Sequence, residues 1–157
     1  MRRFVFDTCV LLCWLYELPV YKRINRELRI EEDDVVIILP AAAKAELLVL
    51  ITSRGWGKKR IDDTKKKISE FFLVYPNHSI CDSYINASLY MRGKHPDIKL
   101  KGSANDIGDN DLWICSTAVE TDATLITTDK DFLPLEGVVL NNKQYKIKNY
   151  WEYRNEK

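Results

Sequence analysis

The chain alternates short apolar runs with longer segments whose apolar residues recur at helical spacing. Such runs, rich in β-branched and aromatic residues, are typical of strands buried within a parallel sheet. The predicted strands are "RRFVF" at 2–6, "DVVIIL" at 34–39, "FLVYP" at 72–76, "ATLIT" at 123–127 and "GVVL" at 137–140. The predicted helices are 8–16, 21–30, 41–52, 61–72, 79–93 and 109–121.

Strand and helix alternate along the chain. This order predicts an α/β fold with a mainly parallel central sheet between helices. A length of 157 residues is enough for one hydrophobic core, so we expect a single domain over 1–157. The polar stretch 94–108 is predicted to be a loop.

Composition limits the function classes. The formal net charge is only +1, so charge matters through its local distribution. The four cysteines form no CxxC pair and occur in apolar segments, which indicates reduced core thiols in a cytoplasmic protein. Two histidines in unrelated segments argue against a zinc site. Asp7 interrupts the apolar start of the chain, and no segment is long enough to span a membrane.

Two acidic residues lie on helix faces that should point inward. Counting from Asp111, the residues three, four, seven and eight positions later are all apolar. Glu46 interrupts the apolar face of the 41–52 helix in the same way. Mid-helix carboxylates belong on the solvated face, so Glu46 is the harder of the two to explain structurally.

Two further acids follow predicted strands. Asp7 comes directly after "FVF", and Asp129 follows "TLITT". The carboxyl ends of parallel strands form the edge at which ligand crevices occur, and the helix carrying Asp111 begins at that edge. We therefore expect Asp7, Glu46, Asp111 and Asp129 to converge.

Converging carboxylates would repel one another unless a cation neutralised them. No cluster of lysines or histidines accompanies these motifs, so a divalent cation is the natural counter-charge. Oxygen ligands favour Mg²⁺ or Mn²⁺, and such sites commonly hydrolyse phosphodiesters. The hydroxyls of Thr8 and Thr127 could support the site.

Each acid also has a structural interpretation when taken alone. Asp109 could cap the helix that follows it, and Asp111 could interact favourably with the helix dipole from the first turn. Asp129, within "TTDKDF", could be a turn residue. The functional interpretation depends on the four acids occurring together.

The motifs "FVFDTCVLL", "PAAAKAELL", "DNDLWICSTAV" and "TLITTDKDF", in this order, resemble those of PIN-domain nucleases, especially VapC-type toxins of prokaryotic toxin–antitoxin pairs. The resemblance covers about residues 3–140 and leaves 141–157 as a C-terminal extension. It implies a three-layer α/β/α sandwich and metal-dependent endonuclease activity, usually on RNA. Its acidic positions correspond to Asp7, Glu46, Asp111 and Asp129.

The resemblance also ranks the supporting residues. Asp109 corresponds to an extra acid of some members, and Thr127 to a position that often carries a hydroxyl. Cys9 departs from the asparagine or serine common after "DT". The insertion 94–108 and the aromatic tail after residue 140 are less typical of the compact toxins.

The segment 54–67 carries seven basic residues and two acids. Arg54, Lys58, Lys59 and Arg60 could hold a phosphate backbone, and Trp56 could stack on an unpaired base. A solvated helix face is the alternative.

The tail contains four aromatic residues whose role the sequence leaves open. They could likewise serve as base platforms, although a packing or dimer surface is the more ordinary interpretation. The four residues are Tyr145, Tyr150, Trp151 and Tyr153.

The sequence thus leads to the hypothesis of a cytoplasmic Mg²⁺- or Mn²⁺-dependent endoribonuclease. Asp7, Asp111 and Asp129 would hold the metal, and Glu46 would bind it or orient the attacking water. The products would carry 5′-phosphate and 3′-hydroxyl ends. RNA is the expected partner, with a cognate antitoxin and a homodimer suggested by the resemblance alone. The alternative is a non-catalytic module that binds RNA or an antitoxin.

Overall fold

A computed structural model describes all residues from 1 to 157. The strands are β1 (Arg2–Phe6), β2 (Val35–Pro40), β3 (Phe72–Val74), β4 (Thr124–Thr127), β5 (Val139–Leu140), β6 (Lys143–Gln144) and β7 (Ile147–Asn149). The helices are α1 (Thr8–Leu15), α2 (Pro19–Leu28), α3 (Ala41–Ser53), α4 (Lys58–Ile68), α5 (His78–Met91) and α6 (Asp109–Glu120). Two short 3₁₀ helices cover Lys130–Leu135 and Trp151–Tyr153.

Five strands form one parallel sheet in the order β3-β2-β1-β4-β7. Helices flank this sheet, which confirms the predicted three-layer α/β/α sandwich. Strand β1 is central, with Phe4 paired in register with Ile37 of β2 and with Thr124 of β4. Each strand feeds a helix or turn at its carboxyl end, so these connections gather at one edge of the sheet. This edge is called the carboxyl edge below.

The ends of several helices follow from local chemistry. Helix α1 begins at Thr8 and is capped by Asp7, whose side chain accepts the Val10 N–H at 2.8 Å. Helix α2 begins at Pro19, a favoured first position because proline has no amide hydrogen to leave unpaired. Helix α4 begins at Lys58, three residues before the predicted start, and ends at Ile68.

The last part of the chain differs from the sequence prediction. The predicted strand 137–140 is reduced to β5, which pairs antiparallel with β6 in a separate two-stranded sheet. The fifth strand of the central sheet is β7, in the segment interpreted as an extension beyond the core. Tyr145 and Tyr150 are each 2% exposed and belong to the hydrophobic core. The tail is therefore packed into the fold, and these two aromatics cannot be base platforms.

The four cysteines are all free thiols, but they are not all core residues as predicted. Cys115 is buried, Cys13 and Cys81 are half-buried, and Cys9 is exposed. None of the helices is both long and apolar enough to cross a bilayer.

Candidate active site

Two of the four candidate acids follow adjacent strands at the carboxyl edge. Asp7 comes directly after β1, and Asp129 comes two residues after β4. These strands run side by side, and the Asp7 N–H donates to the Ile126 carbonyl at 3.2 Å. The parallel register therefore places both carboxylates at one end of the same strand pair.

The Asp7 carboxylate is almost completely enclosed, at 2% exposure. One oxygen accepts the Val10 N–H at 2.8 Å, and the other accepts the hydroxyl of Thr127. Burial raises the pKa of Asp7 to about 7, against the lowering effect of these two hydrogen bonds. The negative charges of Asp111 and Asp129 raise it further. Asp7 is therefore a buried acid that faces two other acids.

Thr127 connects the two strand ends. Its hydroxyl donates to Asp7 and accepts the backbone N–H of Asp129 at 2.9 Å. The side chain of Asp129 accepts the N–H of Asp131 at 2.9 Å, which starts the 3₁₀ turn. The residue predicted as a supporting hydroxyl thus lies between two of the candidate acids.

Asp111 lies in the first turn of α6 and is half-buried. Burial raises its pKa to about 6, and the charges of Asp129, Glu46 and Asp131 add to the shift. Together with its effect on Asp7, Asp111 thus interacts electrostatically with all three of the other predicted acids. Asp131 was missed as a contributor, although it lies within the motif "TTDKDF" and could have been found there.

Glu46 is half-buried on α3, and Asn110 of α6 donates its side-chain amide to it at 2.8 Å. This bond joins the two helices that carry Glu46 and Asp111. Asn110 was not a predicted site residue, because its partner lies 64 positions away in the sequence.

The remaining supporting residues divide into two cases. Thr8 is buried beside Asp7, and its hydroxyl has no hydrogen-bond partner within the chain. Asp109 is exposed and accepts the hydroxyl of Tyr84 at 2.7 Å. Thr8 is thus a buried neighbour of Asp7 in the chain, whereas Asp109 is bound at the surface to Tyr84 of α5.

No cation within the chain neutralises the acids. The ion pairs of the structure involve Arg2, Arg23, Arg29, Arg92, Lys143 and Lys146, and none of them reaches Asp7, Glu46, Asp111 or Asp129. The donor set is thus made of oxygen atoms with uncompensated charge, which suits a hard divalent cation such as Mg²⁺ or Mn²⁺. No group of three or more His, Cys, Asp or Glu side chains is gathered closely enough to hold a metal ion in this conformation.

The predicted phosphate-binding residues lie apart from the acids. Arg54 follows the last residue of α3, and Lys58, Lys59 and Arg60 form the start of α4. All four are exposed. Arg54 is eight residues beyond Glu46, which corresponds to about 12 Å along a helix. A substrate that contacted both regions would have to extend over more than one nucleotide.

The ring of Trp56 is not free to stack on a base. The guanidinium of Arg60 lies 3.4 Å from the centre of its ring, and the ring of Tyr16 meets it edge-on at 5.5 Å. The basic segment is therefore organised by its own aromatic contacts.

The C-terminal strand supports the acidic edge. Asn149 donates its side-chain amide to the Asp129 carbonyl at 2.8 Å, and the Tyr150 N–H donates to the Thr127 carbonyl at 2.8 Å. Neither contact was predicted, because the sequence around Asn149 carries two lysines and does not resemble a buried strand.

Comparison with solved structures gives the same fold. The chain is similar to a chain of VapBC2 from Rickettsia felis bound to a promoter DNA fragment, with a TM-score of 0.66 and 20% identity over 94% of this chain and 98% of that one. For VapBC-1 of nontypeable Haemophilus influenzae the TM-score is 0.66, with 19% identity over 95% and 98%. For VapBC-5 of Mycobacterium tuberculosis it is 0.64, with 15% identity over 95% and 98%.

No curated protein matches the chain significantly. The family model of the PIN domain, however, matches residues 4–137, which include all four candidate acids. The chain therefore belongs to the PIN domain family.

Proposed function

We propose that this protein is a metal-dependent endoribonuclease whose active site is formed by Asp7, Glu46, Asp111 and Asp129. One observation carries the proposal. The buried Asp7 carboxylate, with its pKa raised to about 7, faces the charges of Asp111 and Asp129 without any cation of the chain beside it. Because these surroundings disfavour the ionised form of Asp7, a bound divalent cation would supply the positive charge that the site lacks.

Asp7, Asp111 and Asp129 are the residues that would hold Mg²⁺ or Mn²⁺. Such an ion supplies activation of water and stabilisation of charge on the attacked phosphate. Thr127 fixes the orientation of Asp7 and the backbone of Asp129. Glu46, whose only hydrogen bond is to the surface amide of Asn110, would join the metal site or orient the attacking water.

The proposed substrate is RNA, and the proposed products carry 5′-phosphate and 3′-hydroxyl ends. These ends follow if water attacks the phosphorus and the 2′-hydroxyl takes no part. Arg54, Lys58, Lys59 and Arg60 are exposed and carry no ion pair, so they are available for the phosphate backbone.

We further propose that the protein is the toxin of a toxin–antitoxin pair that acts in the cytoplasm, with a cognate antitoxin as its partner. The support is the similarity in fold to VapBC structures over at least 94% of this chain.

Two observations favour a second candidate, a non-catalytic PIN-like module that binds RNA or an antitoxin. The acids are not gathered into a ready metal-binding group, and both oxygens of Asp7 already accept hydrogen bonds. A decayed site would show the same features.

Incubation of the purified protein with total RNA separates the two candidates. We expect cleavage in Mn²⁺ and none in EDTA, and mapped ends with 5′-phosphates. The Asp7→Asn and Asp111→Asn double variant should retain the fold by circular dichroism and lose cleavage. Asp34→Asn, at the opposite edge of the sheet, is the matched control and should cleave normally. Activity that persists in EDTA or in the double variant would refute the nuclease, and a folded protein without cleavage would favour the binding module.

A further inference from the structure

A group of cationic and aromatic side chains lies at the carboxyl edge, outside the basic segment 54–67. The guanidinium of Arg154 lies 3.1 Å from the centre of the Trp151 ring, and the ammonium of Lys130 lies 5.3 Å from it. We call Lys130, Trp151 and Arg154 the tail cluster. It combines elements from two distant parts of the chain.

The tail cluster is adjacent to the acids. Lys130 directly follows Asp129 in the chain. Asn149 donates to the Asp129 carbonyl at 2.8 Å and accepts the Trp151 N–H at 2.8 Å, so one side chain connects Asp129 to the backbone of the cluster. The parallel pairing of β7 with β4 brings the end of the tail to this edge.

The short helix Trp151–Tyr153 explains the stacking. A 3₁₀ helix has three residues per turn, so residues 151 and 154 lie on one side. Tyr153 faces another way and packs under the guanidinium of Arg23 at 4.0 Å. Glu152, the only acid in this helix, lies between the two faces. The Arg154 guanidinium also donates to the Trp151 carbonyl at 2.8 Å, which holds it over the ring.

The charges of the tail cluster are free. Neither Lys130 nor Arg154 forms an ion pair, whereas Lys143 and Lys146 of the same tail are paired with Glu120 and Asp122. Cations that form no ion pair and border an acidic site are available to an anion that approaches that site.

We propose that the tail cluster is a binding subsite for one nucleotide of single-stranded RNA that flanks the scissile phosphate. Lys130 and Arg154 contact phosphate oxygens, and a base stacks on the exposed guanidinium plane of Arg154, which the covered ring of Trp151 supports from the other side. Stacking on tryptophan or arginine planes is a common way of holding unpaired bases. This inference rests on the proposed nuclease function, since it assigns the substrate path at that site.

Fluorescence anisotropy with a labelled 12-nucleotide single-stranded RNA tests the subsite. The 157-residue protein carries Asp7→Asn and is kept in EDTA, so that binding is measured without cleavage. Trp151→Leu should weaken binding about fivefold or more, the lower range for loss of one base stack. Lys130→Ala and Arg154→Ala should each reduce the salt dependence, with the slope of log K against log salt falling by about 0.7.

Arg3→Ala is the matched control, because it removes one exposed positive charge at the opposite edge of the sheet. It should leave the affinity and the salt slope unchanged. Trp151→Phe, which keeps an aromatic plane, should retain most of the affinity. Melting curves identify any variant whose fold is lost. If Trp151→Leu does not fold, the binding of Lys130→Ala and Arg154→Ala decides whether the subsite exists.

The subsite is overturned if Lys130→Ala and Arg154→Ala bind like the control. This failure is distinct from failure of the nuclease. If the protein cleaves RNA with Mn²⁺ but these variants bind RNA normally, the proposed nuclease function stands and the proposed subsite is refuted. If RNA binding depends on the tail cluster but the protein does not cleave RNA, the subsite stands and the proposed nuclease function is refuted.

Discussion

Asp7 is unusual among the acids of this protein because its carboxyl group is buried and has a raised pKa. It is the N-cap of α1, the acceptor of the Thr127 hydroxyl and the most enclosed of the candidate acids. An aspartate that served only as an N-cap would lie at the surface, where water solvates its charge. Its enclosure beside Asp111 and Asp129 lowers the stability of the protein whenever it is ionised.

The first expectation concerns the pH dependence of stability. The folded-state pKa of Asp7 is raised from 3.8 to about 7, so the folded protein binds the proton more tightly than the unfolded chain. The destabilisation is absent below pH 4, grows between pH 4 and 7 and is complete above pH 7. Asp7→Asn should therefore raise the free energy of unfolding at pH 8, by at most roughly 4 kcal/mol, with little change at pH 4. Chemical denaturation at both pH values, without divalent ions, measures this.

Asp34→Asn is the control, because its effect on the free energy of unfolding at pH 8 should have the opposite sign. The guanidinium of Arg2 beside Asp34 holds the pKa of that carboxyl below its ordinary value. Its ion pair stabilises the fold above pH 4 and is lost as the pH falls. The variant should therefore be less stable at pH 8 and unchanged at low pH. Equal responses of the two variants would contradict the assignment for Asp7.

The second expectation concerns Thr127→Val. This change removes the donor to Asp7 and the acceptor for the Asp129 N–H, while keeping the shape of the side chain. We expect a loss of roughly 1–3 kcal/mol at pH 8, because a buried ionised acceptor is left unpaired. The loss should be smaller at pH 4.5, where Asp7 is protonated. Thr52→Val, at an exposed hydroxyl that bonds the Leu48 carbonyl, should have little effect at either pH.

At the residue scale, sequence reasoning found acids but not their partners. Asp7 and Glu46 were identifiable because a carboxylate on an apolar pattern has no ordinary structural role. Asn110 and Asn149 were not, because an asparagine fits any surface position and their contacts depend on the folded arrangement. Trp56 had a plausible function in the sequence, but the stacked Arg60 is visible only in three dimensions.

At the scale of elements, the tail is the main addition to the predicted fold. Strands β1 to β4 were predicted because their runs are rich in apolar, β-branched and aromatic residues. Strand β7 was not, because "IKN" carries a lysine and lies at the sheet edge, where only part of the strand is buried. Hydrophobic pattern alone does not distinguish a short edge strand from a loop.

The third expectation tests the anchoring of this tail. Tyr150 is 2% exposed, and its hydroxyl donates to Glu27 of α2 at 2.8 Å. Tyr150→Ala should cost about 3–5 kcal/mol of unfolding free energy, as large-to-small changes of aromatic core residues do. Tyr150→Phe keeps the ring and loses one hydrogen bond, so it should cost about 1 kcal/mol. Similar small losses in both variants by denaturant titration would show that the tail is not part of the core.

At the scale of the whole molecule, the fold places uncompensated negative charge at one edge of the sheet. The parallel topology was predictable from the alternation of strand and helix, and it explains why acids far apart in sequence come to the same edge of the sheet. The exact spacing of their side chains was not predictable, and in this conformation they are not yet gathered into a chelating group. Our central claim is that these acids share a divalent ion.

Calorimetric titration with Mn²⁺ tests this claim most directly. The wild-type protein should bind Mn²⁺ at pH 7.5 and bind it more weakly at pH 5.5, because protons on Asp7 and Asp111, whose pKa values are about 7 and about 6, compete with the ion. The Asp7→Asn and Asp111→Asn double variant should not bind, while Asp34→Asn should bind as the wild type does. A folded wild-type protein that takes up no Mn²⁺ at pH 7.5, or a double variant that binds it equally well, would contradict the central claim.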